Sequence, residues 1–140
     1  MVRIFNQSKL KSLRKQPLRK LASAVWNAHR NDRCDLTITF VPVEMIVDLN
    51  QRYLQRSYRT DVISFNLGPD PEGKIIGDIY ICPEVAEENA RHYRCPFEEE
   101  LARLVIHGVL HVIGFNDASR EERETMRHLE NKYLEKYWHH

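Results

Sequence analysis

Short stretches of this chain alternate apolar and polar residues, and the segments between them repeat apolar residues at helical spacing, which predicts strands interleaved with helices. Residues 2–6 (VRIFN) and 35–41 (DLTITFV) predict the first two strands, and residues 62–65 and 75–81 predict two more. Between the last two, NLGPDPEG is rich in Gly, Pro and Asp and predicts a turn or exposed loop. Prolines mark most of the helix starts. Pro17 opens a helix whose Leu18, Leu21, Ala22, Val25 and Trp26 form one apolar stripe, and Pro42 starts a second running to about Tyr53. Pro83 opens a third ending near Arg94, and Pro96 a fourth that carries His107 and His111. Ser119 with Glu122 forms a capping box for a fifth, ending near Tyr137. Residues 101–106 and 109–113 are apolar almost all round, so the fourth helix is expected to be central and largely buried. Its Glu100 is read as a solvated carboxylate favoured by the helix dipole, in preference to a group that orients a histidine.

Length and composition bound the class. With 140 residues and 42% hydrophobic content, residues 1–140 are expected to form a single domain around one core. The N-terminal segment lacks the apolar stretch of a signal peptide, and no apolar run approaches the roughly 20 residues of a membrane span. A cytoplasmic protein without membrane contact is the expectation. The three cysteines, Cys34, Cys82 and Cys95, form no C-x-x-C pair and read as reduced packing residues. No function is assigned to the terminal His139 and His140. Net charge is only +1, but residues 1–60 hold 12 basic and 4 acidic side chains while residues 61–140 hold 9 and 16. A first part at +8 joined to a second at −7 suits a phosphate-bearing substrate, or two halves that neutralise each other across the fold.

The chemistry concentrates in HGVLHVIGFND, residues 107–117. His107 and His111 lie one helical turn apart, so both imidazoles leave one face and can share a metal ion. Gly114 can end the helix and turn the chain so that Asp117 returns toward the pair. Three ligands with an open position are typical of catalytic zinc, where water completes the coordination and serves as nucleophile. The spacing is that of the metalloprotease pattern H-E-x-x-H-x-x-G-x-x-H, with Gly108 in place of the glutamate and Asp117 in place of the last histidine. Gly108 has no side chain to accept a proton, so no general base is identified.

These residues also resemble a known family. HGVLHVIGFND is similar to the H-G-x-L-H-L-x-G-x-D-H signature of the YbeY family, bacterial metal-dependent endoribonucleases and rRNA maturation factors. Asn50 to Tyr53, then Thr60-Asp61-Val62-Ile63-Ser64-Phe65, resemble that family's N-x-x-Y-R and P-T-D-V-L-S-F, and Gly77-Asp78-Ile79 its G-D-I strand. The resemblance implies an α+β fold, with a small mixed β-sheet covered by about five helices and the metal site at the end of a central buried helix. It implies a single-strand-specific endoribonuclease acting in 16S rRNA processing and ribosome quality control, with rRNA in ribosomal subunits as partner. The cofactor implied is one Zn2+ ion or another divalent metal, held by His107, His111 and Asp117.

The departures from the family pattern are specific. Asp117 stands where the signature has a histidine, Leu54 where it has an arginine implicated in catalysis, and Arg59 where it has proline. A carboxylate ligand binds zinc at about the same length as an imidazole, and its charge lowers the Lewis acidity of the ion. Arg52, Arg56 and Arg59 are candidates for the missing cation, and Ser64 with Phe65 for lining the cleft. Two other function classes fit the same residues: a zinc metalloprotease, and a metal-stabilised, non-catalytic rRNA-binding assembly factor.

Overall fold

The computed structural model describes residues 1–56 and 59–138, so His139 and His140 lie outside the described residues. The described chain runs β1 (Val2–Asn6), α1 (Lys15–His29), β2 (Cys34–Phe40), α2 (Val43–Leu54), β3 (Val62–Pro69), β4 (Ile75–Ile81), α3 (Pro83–Tyr93), α4 (Phe97–Ile113) and α5 (Arg120–Tyr137). The class is α+β, as expected, with one mixed sheet in the order β1-β2-β4-β3. β1, β2 and β4 run parallel, in register through Val2↔Leu36 and Cys34↔Ile75, and β3 pairs antiparallel to β4 through Ser64↔Ile79.

Two boundaries differ from the sequence reading by more than one residue. α1 begins at Lys15, two residues before Pro17, because a proline is tolerated throughout the first turn where its missing N–H has no partner to lose. β3 continues past Phe65 to Pro69 through a bulge between Asn66 and Gly68, so half of the expected loop is strand. Asp70 closes the remaining turn, accepting from the backbone N–H of Glu72 and Lys74 at 2.9 Å each. The capping box at Ser119 and Glu122 is complete in both directions.

The main core lies on one face of the sheet, where Leu36, Ile38 and Ile79 meet α1 and α4, and α4 is in turn flanked by α3 and α5. A smaller cluster on the other face packs Ile46 of α2 against Val41, Ile63 and Cys82. Two glycines let α4 lie directly on the strands. A Cβ at Gly108 would stand 2.6 Å from Ile79 Cγ2, and one at Gly77 would stand 2.9 Å from Val112 Cγ1. The backbones therefore meet where a side chain would hold them apart, and the histidine-bearing turn of α4 is fixed against the sheet. All three cysteines are free; burial raises the Cys34 and Cys82 thiols above their ordinary range, consistent with packing roles.

Candidate metal centre

The last two turns of α4 carry His107 and His111 side by side, and the helix then ends at Gly114. Gly114 adopts φ 127°, its N–H and that of Phe115 return to Leu110 O at 3.1 and 3.0 Å, and the reversed chain brings Asp117 beneath the two rings. Three ligand atoms converge there. His107 Nε2 and His111 Nε2 are 3.0 Å apart, and Asp117 Oδ2 lies 3.4 Å from the first and 3.3 Å from the second. A tetrahedral ion about 2.0–2.1 Å from each donor needs donors roughly 3.3 Å apart, so the spacing fits a zinc-sized cation. The carbonyl end of α4 adds negative potential at the same point. Asp117 keeps 45% of its side chain exposed, which leaves one side of the cluster open to solvent.

Behind the three candidate donors stands a group that sequence reasoning missed. Glu130 of α5 places Oε2 2.7 Å from His107 Nδ1, and its other oxygen accepts from Arg103 Nη1 at 3.1 Å. Its side chain is 7% exposed. A buried carboxylate there holds the proton on Nδ1, which leaves the Nε2 lone pair facing Asp117 and His111. The signal in the sequence is positional: Met126, Glu130, Tyr133 and Leu134 form the buried stripe of α5, and a glutamate inside such a stripe needs a partner. Burial pulls the pKa of His107 down, but the hydrogen bond and charge of Glu130, helped by Asp117 and Asp61, outweigh it and raise the value.

The solvated reading of Glu100 is corrected. Glu100 is 3% exposed, accepts from Asn89 Nδ2 at 3.4 Å and lies 3.9 Å from Arg103 Nε. α3 covers this side of the first turn of α4, so Glu98 stays in solvent while Glu100 turns inward. Burial raises its pKa against the opposing effects of Asn89 and Arg103. Asn89 Nδ2 also reaches Asp61 Oδ2 at 3.0 Å, which ties α3 to the start of β3.

The other candidates are placed less centrally. Ser64 faces α4 and donates from Oγ to Gly108 O at 3.2 Å, and Asn66 Nδ2 donates to Val112 O at 2.9 Å, so β3 flanks the histidine helix. Phe65 points to the opposite face, between Tyr53 and Tyr80 at ring distances of 5.6 and 6.3 Å. Arg52 pairs with Asp48 at 3.1 Å and Arg59 with Glu88 at 2.6 Å, both on the surface. Arg56 is exposed and has no carboxylate within 4.0 Å among the described residues.

The family model for endoribonuclease YbeY matches residues 3–138. The chain belongs to the YbeY family. Endoribonuclease YbeY of Bacteroides fragilis is 35% identical over 127 residues, covering 90% of this chain and 89% of the relative. That of Thermotoga neapolitana is 34% identical over 142 residues, covering 99% and 89%. A solution structure of a Thermotoga maritima protein aligns with a TM-score of 0.68 and 31% identity over 99% of this chain and 89% of that one. Within the YbeY family frame, the α+β architecture and the position of the histidine helix are those the resemblance implied. Among the described residues, no helix is long and apolar enough to cross a membrane.

Proposed function

We propose that the 140 residues form a single metal-dependent endoribonuclease domain that hydrolyses single-stranded RNA during rRNA maturation in the cytoplasm, within ribosomal subunits under quality control. The observation that carries this reading is the convergence of His107, His111 and Asp117 on one point at separations of 3.0–3.4 Å, in a chain of the YbeY family. Zn2+ is the ion we assign, from two imidazoles and a carboxylate in a set with an open side. When bound, it supplies Lewis acidity toward a phosphoryl oxygen and makes water a stronger nucleophile near neutral pH.

The chain's own residues supply the rest. Glu130 orients His107, and Arg103 neutralises Glu130 so that its charge is tolerated inside the fold. Arg56 is the candidate phosphate contact, since Arg52 and Arg59 are already held by carboxylates. A protease mechanism is disfavoured by geometry. Position 108, where the protease glutamate would stand, is closed by Ile79 and Ser64 and does not face the open side of the cluster. The non-catalytic assembly-factor reading draws on Asp117 and Leu54, which replace a histidine and an arginine of the family pattern.

The test is cleavage of end-labelled single-stranded and duplex RNA by zinc-loaded and chelator-treated protein, with His107→Ala as control. We expect internal cleavage of the single strand, lost on chelation and in the variant. Cleavage equal in all three samples would overturn the metal reading, and none above the control, with ribosomal subunits still bound, would decide for the assembly factor.

A further inference from the structure

α1 and α4 run in the same direction. At their starts, Leu18 of α1 shares one notch with Phe97 and Leu101 of α4, and at their ends the His29 ring meets Phe115, just beyond Gly114, at 5.1 Å. α1 therefore leads along the molecule toward the end that carries the metal cluster. Its outer side is a groove of about 430 Å³ against β1, lined by Gln16, Arg19, Lys20, Ser23 and Asn27 among others, with no carboxylate in the lining. Lys9, Lys11 and Arg14, in the segment that leads into α1, and Lys15, its first residue, stand exposed.

The basic excess of residues 1–60 is not consumed within the fold. Among the described residues, two ion pairs join that part to the acidic remainder, Arg14–Glu98 at 3.5 Å and Arg59–Glu88 at 2.6 Å, both exposed. Lys9, Lys11, Lys15, Arg19 and Lys20 have no carboxylate within 4.0 Å among those residues, and residues 4–31 contain none in the sequence. A concave, cationic surface with amide and hydroxyl groups in its floor matches the backbone of a nucleic acid, which needs charge neutralisation and hydrogen-bond donors. It does not match an acidic protein equally well, because a flexible chain of regularly spaced charges follows a groove along a helix and a folded acidic face does not.

We propose that the outer groove of α1, with Lys20 in its lining and the exposed Lys15 just before it in the sequence, is a second RNA-binding surface that holds the sugar-phosphate backbone of a strand extending away from the metal centre. The choice of RNA rests on the proposed function, while the groove and its charge do not. Glu98, which pairs with Arg14 at the start of α1, precedes His107 by nine residues, or about 14 Å along α4. A dinucleotide engaged at the metal through its one phosphodiester therefore has no phosphate that reaches Lys15 or Lys20, and a longer strand does.

The test compares Lys15→Gln/Lys20→Gln with Lys132→Gln/Lys136→Gln, an equal change of net charge on α5. Binding of a single-stranded RNA of about 20 nucleotides is measured as a function of salt by anisotropy on metal-free protein, and cleavage of a dinucleotide on zinc-loaded protein. We expect the α1 pair to weaken the long strand about tenfold and to flatten the slope of log K against log salt by about 1.4, from two lost phosphate contacts. The α5 pair leaves both unchanged, and the dinucleotide is cleaved at the wild-type rate by each. Equal losses in both pairs, or none in the α1 pair, would overturn the groove. If the wild type cleaves no RNA the proposed function fails separately, because the binding measurement needs no cleavage.

Discussion

Glu130 Oε2 stands 2.7 Å from His107 Nδ1, and that single contact sets which face of the imidazole is available to an ion. The carboxylate is buried and shared with Arg103, so it cannot swing away to solvent as a surface glutamate would. Replacing it with glutamine keeps the volume but offers His107 either an acceptor or a donor. The ring then divides between two tautomers.

Glu130→Gln is accordingly expected to lower zinc affinity about 10–100-fold, the usual cost of losing a carboxylate that orients a ligand histidine. Competition with a chromogenic chelator measures the affinity, and nitrogen chemical shifts of the His107 ring report the tautomer. Unchanged affinity with a single wild-type tautomer would show that the contact is ornamental.

Asp117 is the candidate ligand that distinguishes this chain from the family signature, and it is also the most exposed of the three. Asp117→Ala should reduce bound metal below one equivalent. It should also abolish the roughly 2.7 kcal/mol of stabilisation that zinc confers at 100 times its dissociation constant. Asp117→His should restore binding with a neutral ligand and so a more acidic ion. Metal content by mass spectrometry, paired with urea unfolding with and without zinc, checks both variants. Full zinc occupancy in Asp117→Ala would remove the residue from the set.

How far these groups were legible depends on distance along the chain. His107, His111, Gly114 and Asp117 lie within eleven residues, and one helical turn plus one positive-φ glycine converts that spacing into proximity. Glu130 lies thirteen residues further, on another helix with five glutamates, and only packing singles it out. Glu98, Glu99 and Glu100 are equivalent as a first-turn acidic run. That Glu100 turns inward follows from α3, whose placement over α4 no local pattern encodes. The strands and helices followed from periodicity and prolines, but the order β1-β2-β4-β3 depends on which faces are buried together. Pairing between segments is where local patterns stop being informative.

Glu100 offers a pH signature. Its folded pKa is raised, chiefly by burial, so the folded state binds its proton more tightly than the unfolded chain does. The sign follows directly. Its favourable contribution is complete below the unfolded value near 4.5 and is lost as pH rises through the folded value. Glu100→Gln, which keeps the neutral form at every pH, should be more stable than wild type at neutral pH and lose that advantage on acidification. Urea unfolding across pH 4–8 measures the difference, and a variant less stable than wild type at pH 8 would show that Arg103 needs the charge.

Gly108 is the last position that decides between functions. Alanine there gains up to about 1 kcal/mol of helix propensity over glycine. Its Cβ, however, falls 2.6 Å from Ile79 Cγ2 and 3.2 Å from Ser64 Oγ. The γ-methyl of a β-branched strand residue cannot rotate aside, so α4 must lift from the sheet at an overpacking cost of about 1–3 kcal/mol. Net destabilisation is the expected outcome for Gly108→Ala, and a larger one for Gly108→Glu, which also buries a carboxylate. Denaturant midpoints read the stability, and casein cleavage by zinc-loaded Gly108→Glu reads the chemistry. A stable glutamate variant that hydrolyses casein would mean that the helix has room for a protease base, and that the close contact of α4 with Ile79 does not separate this site from a protease.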